Sequence, residues 1–259
     1  MTKTSFFRAF SLFCIFTLTQ TACTTDDVPP ESEPKGQPGF VTGVVTGPDG
    51  KPLSKATIHS EHTVLIGRGA EARSGSDGTY RIALVEGLGH WIVRGYILKE
   101  YNDRVYKILL DPENQDSFSE KDKPVRNFQW KLQGHIPDQS LNQFYGGTAE
   151  LQRDPNSDLN DTENVVFTFQ PDGPLIDGSQ GKTLQLKGGK RGTQNHNFIH
   201  DIPIGRYKVT AIYQPTGQQL LVTDSWNDGE YRESATIEFF GTEASYRANQ
   251  MGIGFTDRF

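Results

Sequence analysis

The sequence predicts an all-β protein of two β-sandwich domains in series, preceded by a signal peptide and a disordered tether. Three observations carry the prediction. Apolar and polar residues alternate with a period of two over short runs, and Gly- and Asp-containing turn signals interrupt those runs. No segment has the helical spacing of an amphipathic helix, so the apolar faces must be buried sheet against sheet.

The leader comes first. Lys3 and Arg8 give it a positive start, Ala9 to Leu18 an apolar stretch, and Thr21 and Ala22 small residues before Cys23. The apolar stretch is too short to stay as a spanning helix, which takes about 20 apolar residues. The run LFCIFTLTQTAC, residues 12–23, resembles a bacterial lipoprotein signal peptide. That resemblance implies cleavage before Cys23, a diacylglycerol on its sulfur and acylation of its freed amine. Gln20 departs from the pattern, since the lipobox usually has Leu there. Several acyl chains, at about 0.8 kcal/mol per buried methylene, make such an attachment stable. The alternative is an ordinary secreted chain cut nearby, with a free Cys23. Thr24, in place of the Asp that retains enterobacterial lipoproteins at the inner membrane, favours the outer membrane. Asp26 and Asp27 are similar to the short acidic export tag of some surface lipoproteins, which places the cell surface slightly ahead of the periplasmic face.

Cleavage before Cys23 takes Lys3 and Arg8 from 26 basic residues and leaves 24 against 32 acidic, so the net charge goes from −6 to −8. A surface of that sign excludes nucleic acid as a partner. Cys14 departs with the leader, so no disulfide closes within one mature chain and no second thiol remains for catalysis. From Thr24 to Pro38 the chain reads TTDDVPPESEPKGQP, too poor in apolar residues to order itself. About 15 residues at roughly 3 Å each reach up to about 45 Å.

The first domain is expected over residues 39–133. Phe40 to Val45 begins a strand and Pro48-Asp49-Gly50 turns it, with Gly taking the left-handed conformation. Thr57-Ile58-His59 resumes strand character. Ser76-Asp77-Gly78 is a second turn before Thr79-Tyr80-Arg81-Ile82, and strands follow at His90 to Tyr96, Val105 to Leu110 and Asn127 to Leu132. The run Gly43-Val44-Val45, Gly50-Lys51-Pro52-Leu53, Ala56-Thr57-Ile58, Ser76-Asp77-Gly78-Thr79-Tyr80, then Gly87 or Gly89 before Trp91-Ile92-Val93, is similar to the carboxypeptidase regulatory-like domain. The resemblance implies a transthyretin-like Greek-key sandwich without peptidase chemistry. Val64 to Arg73 then reads as an insertion and Asp111 to Lys123 as an acidic loop.

The second domain is expected over residues 134–259. Strand candidates are Tyr145 to Leu151, Val165 to Phe169, Thr183 to Leu186, Asn197 to Ile202, Tyr207 to Tyr213, Gln219 to Thr223 and Ala235 to Phe240. Tyr80-Arg81-Ile82 with Gly89 to Tyr96 parallels Phe198-Ile199-His200 with Gly205 to Tyr213, and this repeated hairpin predicts a second sandwich of related type.

Chemistry is sparse. His196 and His200 would lie about 13 Å apart on a strand, too far to share a metal, and His59 and His62 would face opposite sides. Intradiol dioxygenases, which belong to the same sandwich family, hold iron with two Tyr and two closely spaced His; no His-x-His occurs here. Asp154 to Asp161 spaces oxygen side chains like a calcium loop, but Leu159 stands where Gly is needed and Val165 where Glu is needed, so a polar loop is expected. No nucleophile elbow, zinc helix or phosphate loop is found, and Phe259, though similar to the terminal residue of membrane barrels, follows strands too polar for a lipid-facing wall. Trp91 alternates with apolar neighbours and reads as core. Trp226, in the loop Asp224 to Gly229, and Tyr231 are the candidate ligand-binding aromatics, with Tyr101 a further flat face for sugars.

The expectation is therefore a non-enzymatic outer-membrane or cell-surface lipoprotein, a binding, adhesion or structural module with no cofactor, no metal and no catalytic residue. Its partners are the membrane, through the lipid anchor, and an envelope protein or glycan. The alternative is a surface glycan-binding protein of a polysaccharide-uptake system.

Overall fold

The computed structural model describes residues 35–137, 143–159 and 161–258. Cys23, the leader, most of the tether and Phe259 lie outside them. The first half contains β1 (Phe40–Thr46), β2 (Thr57–His62), β3 (Glu71–Arg73), β4 (Thr79–Ala83), β5 (His90–Tyr101), β6 (Arg104–Leu109), β7 (Asp111–Pro112), β8 (Phe118–Ser119) and β9 (Phe128–Gln129). The second contains β10 (Gly147–Arg153), β11 (Val165–Pro171), β12 (Leu184–Lys187), β13 (Phe198–Ile202), β14 (Arg206–Tyr213), β15 (Gln218–Asp224), β16 (Ala235–Glu238) and β17 (Gln250–Thr256), with one 3-10 turn at Thr162–Asn164. The protein is all-β, as its alternation requires.

Asp-Gly turns join several strands by the same local chemistry. In Gly47 to Lys51, Gly75 to Thr79 and Leu175 to Ser179 the first residue's amide donates to the last residue's carbonyl. The Asp carboxylate of each accepts the amide two residues on, and Gly50, Gly78 and Gly178 take φ of 77°, 76° and 88°. An Asp side chain and a Gly backbone are both needed, which is why the sequence signal is local and readable.

Each half stacks two layers. In the first, β4-β1-β9-β7 faces β3-β2-β5-β6, with β8 paired to the start of β5. Alternation on β5 sends Trp91, Val93, Gly95 and Ile97 inward, where they meet Ile58, Ile108, Leu110 and Phe128. Gly95 is required there, since a Cβ would stand 2.6 Å from Ile58 Cδ1.

The pairings of the second half repeat those of the first one for one. In each, an antiparallel partner (β4 for β1, β13 for β10) and a parallel one (β9 for β1, β17 for β10) flank the first strand. In each, the opposite layer is built by the ladders β3-β2-β5-β6 or β12-β11-β14-β15. β16 pairs with the start of β14 as β8 does with β5. The single strand β15 covers the roles of both β6 and β7: its start pairs with β14 and its end with β17, so it passes from one layer to the other. Phe167 and Phe255, 5.5 Å apart and edge to face, join the two layers of this half.

The structure corrects several sequence readings. The repeated segment is not a hairpin: β4 and β5 belong to different sheets, and β13 and β14 are separated by β10, β17 and β15 in the strand order, so the glycine turn in each case is a crossover. The stretch read as an insertion carries β3, and the acidic loop carries β7 and β8. Asn127 to Leu132 narrows to the two residues of β9. β17 was not expected at all.

Among the described residues no ladder runs between the halves, yet side chains lock them together. The β5–β6 turn, Asn102-Asp103 with φ of 47° and 60°, enters the β16–β17 connection. Tyr106 Oη and Arg104 Nη1 both donate to the Phe239 carbonyl, at 2.7 and 2.9 Å. The amide and hydroxyl of Thr242 donate to Val105 O, Asn249 to Lys107 O and Asn102 to Glu238. Tyr101 Oη donates to Pro174 O and accepts the Arg206 amide, so the sequence candidate Tyr101 serves this joint. Burial pushes the Tyr106 hydroxyl well above the usual tyrosine range, which keeps it a neutral donor.

Candidate functional site

β17 reads Gln-Met-Gly-Ile-Gly-Phe-Thr. Met251, Ile253 and Phe255 point into the core and Gly252 and Gly254 to the other face. The missing side chains leave a shallow slot, which the segment after β15 fills. The Trp226 ring lies across Gly252, where a Cβ would come within 2.6 Å of two ring atoms; the Tyr231 hydroxyl stands over Gly254, 3.2 Å from such a Cβ. The structure thus brings the two sequence-chosen aromatics onto one strip, two strand residues apart.

Asp224 shapes the loop that does this. Its carboxylate accepts the amides of Trp226 and Asn227 and the Asn227 side-chain amide, at 2.8 to 3.2 Å. Trp226 is half-buried: Arg247 stacks its guanidinium 4.3 Å from the ring on one side, and Phe240 packs 5.6 Å away. With Gly252 beneath and Arg247 above, a sugar ring reaches the indole only after Arg247 swings aside. Trp226 Nε1, Ser225 Oγ and Thr223 Oγ1 are buried and find no hydrogen-bond partner among the described residues. Tyr231 is hydrogen-bonded to Asp154, and burial first, then that carboxylate, pushes its hydroxyl up.

The other sequence candidates lie apart. Trp91 is 1% exposed, in the first core. His59 meets Glu61 at 2.9 Å, while His62 holds the amides of Val64 and Leu65. His196 sits in a turn before β13, and His200 is stacked between Phe144 and Phe198, where burial lowers its pKa. The carboxylates of the 154–161 loop are drawn to separate partners: Asp154 to the Asn156 amide, Asp158 to Arg258, Asp161 to Tyr213. No group of three or more His, Cys, Asp or Glu gathers for a metal among the described residues. A groove of about 390 Å³ beside β5 and β6 is lined by Val93, Gly95, Leu110 and Phe128 and bordered by Arg94 and Lys107. The strip's glycines were missed in the sequence; the alternation Met251, Ile253, Phe255 was the signal available.

The fold defines an all-β protein whose two halves repeat one strand order. No protein-family model and no curated protein matches the chain. Among solved structures it is similar to the Bacillus anthracis TIE protein at 13% identity and a TM-score of 0.35, with 84% of this chain on 33% of that one. It is also similar to a C-terminal fragment of the pilus adhesin SpaC from Lactobacillus rhamnosus GG, at 12% identity and a TM-score of 0.24, covering 85% and 97% of the two chains. The major pilin subunit of Bacillus cereus follows at 9% and 0.23, covering 84% and 99%. The chain spans a third of the TIE structure, and TM-scores this low carry no weight for function.

Proposed function

We propose that the protein is a non-enzymatic lipoprotein of the outer membrane, anchored through acyl chains on Cys23 and displayed at the cell surface. It serves there as a binding, adhesion or structural module of two sandwich domains that meet at residues 133 and 134. The joint is the observation that carries this reading: Tyr106, Arg104, Thr242 and Tyr101 pin the second sandwich to the end of β5. The twelve residues of β5 extend from the end where the tether enters to the joint, about 36 Å at 3.3 Å per residue. A stiff body on an acylated tether suits the holding of a surface away from a bilayer. Mass spectrometry of the N-terminal peptide is expected to show an acylated Cys23, and Cys23→Ser to release the protein from membranes. An unmodified, freely soluble wild-type chain overturns the anchor. Antibody to the second sandwich should label intact cells; labelling only after permeabilisation places the body in the periplasm.

A second reading, a surface glycan-binding protein, is favoured by one observation, the unpartnered Trp226 Nε1 and Ser225 Oγ beside the Trp226–Tyr231 strip. Binding on a glycan array that Trp226→Ala abolishes supports it, and binding indifferent to that change removes it.

A further inference from the structure

The end of the first half where Gly39 joins the sheet carries a cluster of exposed aliphatic side chains that no other described residue covers. The loop after β2 exposes Val64, Leu65 and Ile66, with Ile66 100% and Val64 76% accessible, and the loop after β4 exposes Val85 and Leu88. The two loops adjoin: Leu65, Val85 and Leu88 line one apolar recess with Trp91 and Ala70. His62 fixes them, since one ring nitrogen accepts the amides of Val64 and Leu65 while the other contacts the Leu88 carbonyl, and Thr63 donates to His90 O. A protruding loop held in shape by hydrogen bonds beneath it is pre-organised to keep its apolar residues outward.

The chain arrives at this same end. Gly39 donates to Glu120 O while the Glu120 carboxylate accepts the Gly87 amide, so one residue ties the incoming segment to the second apolar loop. Leu84 donates to Gly39 O, and Phe40 pairs with Ala83. Eleven residues lie between Cys23 and Lys35, the first described residue, and the twelve steps from one Cα to the other reach no further than about 43 Å in any arrangement. The joint to the second sandwich lies at the opposite end of β5.

We infer that these loops form a membrane-seating tip: Val64, Leu65, Ile66, Val85 and Leu88 dip into the acyl-chain boundary of the bilayer that holds the anchor. This rests on the proposed acylation of Cys23. The chemistry fits lipid better than a protein partner. All five residues are aliphatic, the tip protrudes where a protein interface centres on aromatic and Arg anchors, and the loops carry one cation, Arg68, and one anion, Glu86. Tethering raises the local lipid concentration, so a contact too weak to bind a free protein suffices to orient an anchored one.

The test uses the purified mature protein, cleaved before Cys23, in phosphatidylcholine vesicles, with an environment-sensitive label at Ile66→Cys and, as reference, at Ile212→Cys, an exposed residue of the second half. With Cys23 acylated, the new thiol alone takes the label. About half of the emission at residue 66 is expected to be lost to nitroxides on lipid acyl chains, near the ~5–10 Å depth of interfacial segments, with none lost at residue 212. A label at residue 66 that stays open to aqueous iodide like the one at residue 212 overturns the tip. Emission that shifts with protein density but ignores the nitroxides assigns the patch to a second copy and overturns it as well. Mass spectrometry of the same sample separates the two ideas: an unacylated Cys23 removes the anchor and the tip with it, whereas an acylated Cys23 with an iodide-accessible residue 66 removes the tip alone.

Discussion

Gly252 shows how a single hydrogen in place of a side chain organises this surface. Its absent Cβ is the space occupied by the Trp226 ring, at 2.6 Å, so Gly252→Ala must displace the indole. A loss of about 1–3 kcal/mol in urea unfolding is expected from such overpacking, with a red shift of Trp226 emission. Gly78 and Gly50 provide a paired comparison. Both have positive φ, but a Cβ at Gly78 also meets the Val45 carbonyl at 2.6 Å, whereas Gly50 faces open space. Gly50→Ala should therefore cost about 1–2 kcal/mol for the left-handed backbone alone, and Gly78→Ala measurably more in the same titration. His200 gives the pH dependence. Burial between Phe144 and Phe198 lowers its folded pKa, opposed by Asp201, so the unfolded chain takes up the proton first as pH falls. Its contribution to stability is complete above the ordinary histidine value of about 6.5 and is lost as pH falls through the lower folded pKa. In His200→Gln, stability measured against pH should lose that component of the slope.

At the scale of elements, β17 is central to the second half, because it pairs with β10 on one side and β15 on the other and is buried on both faces. Ile253→Ala is expected to cost about 2–5 kcal/mol, while Leu98→Ala on the exposed face of β5 should stay within about 0.5 kcal/mol. Legibility differed among the strands for a physical reason. β1, β5, β11 and β14 carry β-branched and aromatic residues in alternation and stand out from local sequence. β7, β8 and β9 are two residues long and owe their pairing to neighbours far along the chain. β17 was hidden because its outward positions are glycines, which read as turns, and its cover is Trp226, some 25 residues earlier in the chain. Two of the five residues of the candidate strip were therefore legible: Trp226 and Tyr231 were found by residue type, Gly252, Gly254 and Arg247 were not.

At the scale of the whole molecule, the joint decides whether the sandwiches act as one body. Tyr106→Phe removes one of two donors to the Phe239 carbonyl and should cost about 0.5–1.5 kcal/mol. Adding Arg104→Met leaves that carbonyl without either donor, and the combined loss should exceed the sum of the single losses. Calorimetry is expected to show one transition for the wild type and two for the double variant; a single transition in both would place the coupling elsewhere in the interface.

The sequence by itself determined the class of fold and the Asp-Gly turns, because alternation and turn chemistry are each properties of a few adjacent residues. Only the tertiary structure decided that the two halves share one strand order, that Trp226 is capped by Arg247, and that Leu65, Val85 and Leu88 from two loops line one recess. Those facts depend on which distant strands pair, and pairing is settled by burial of whole faces, which no local stretch of sequence carries.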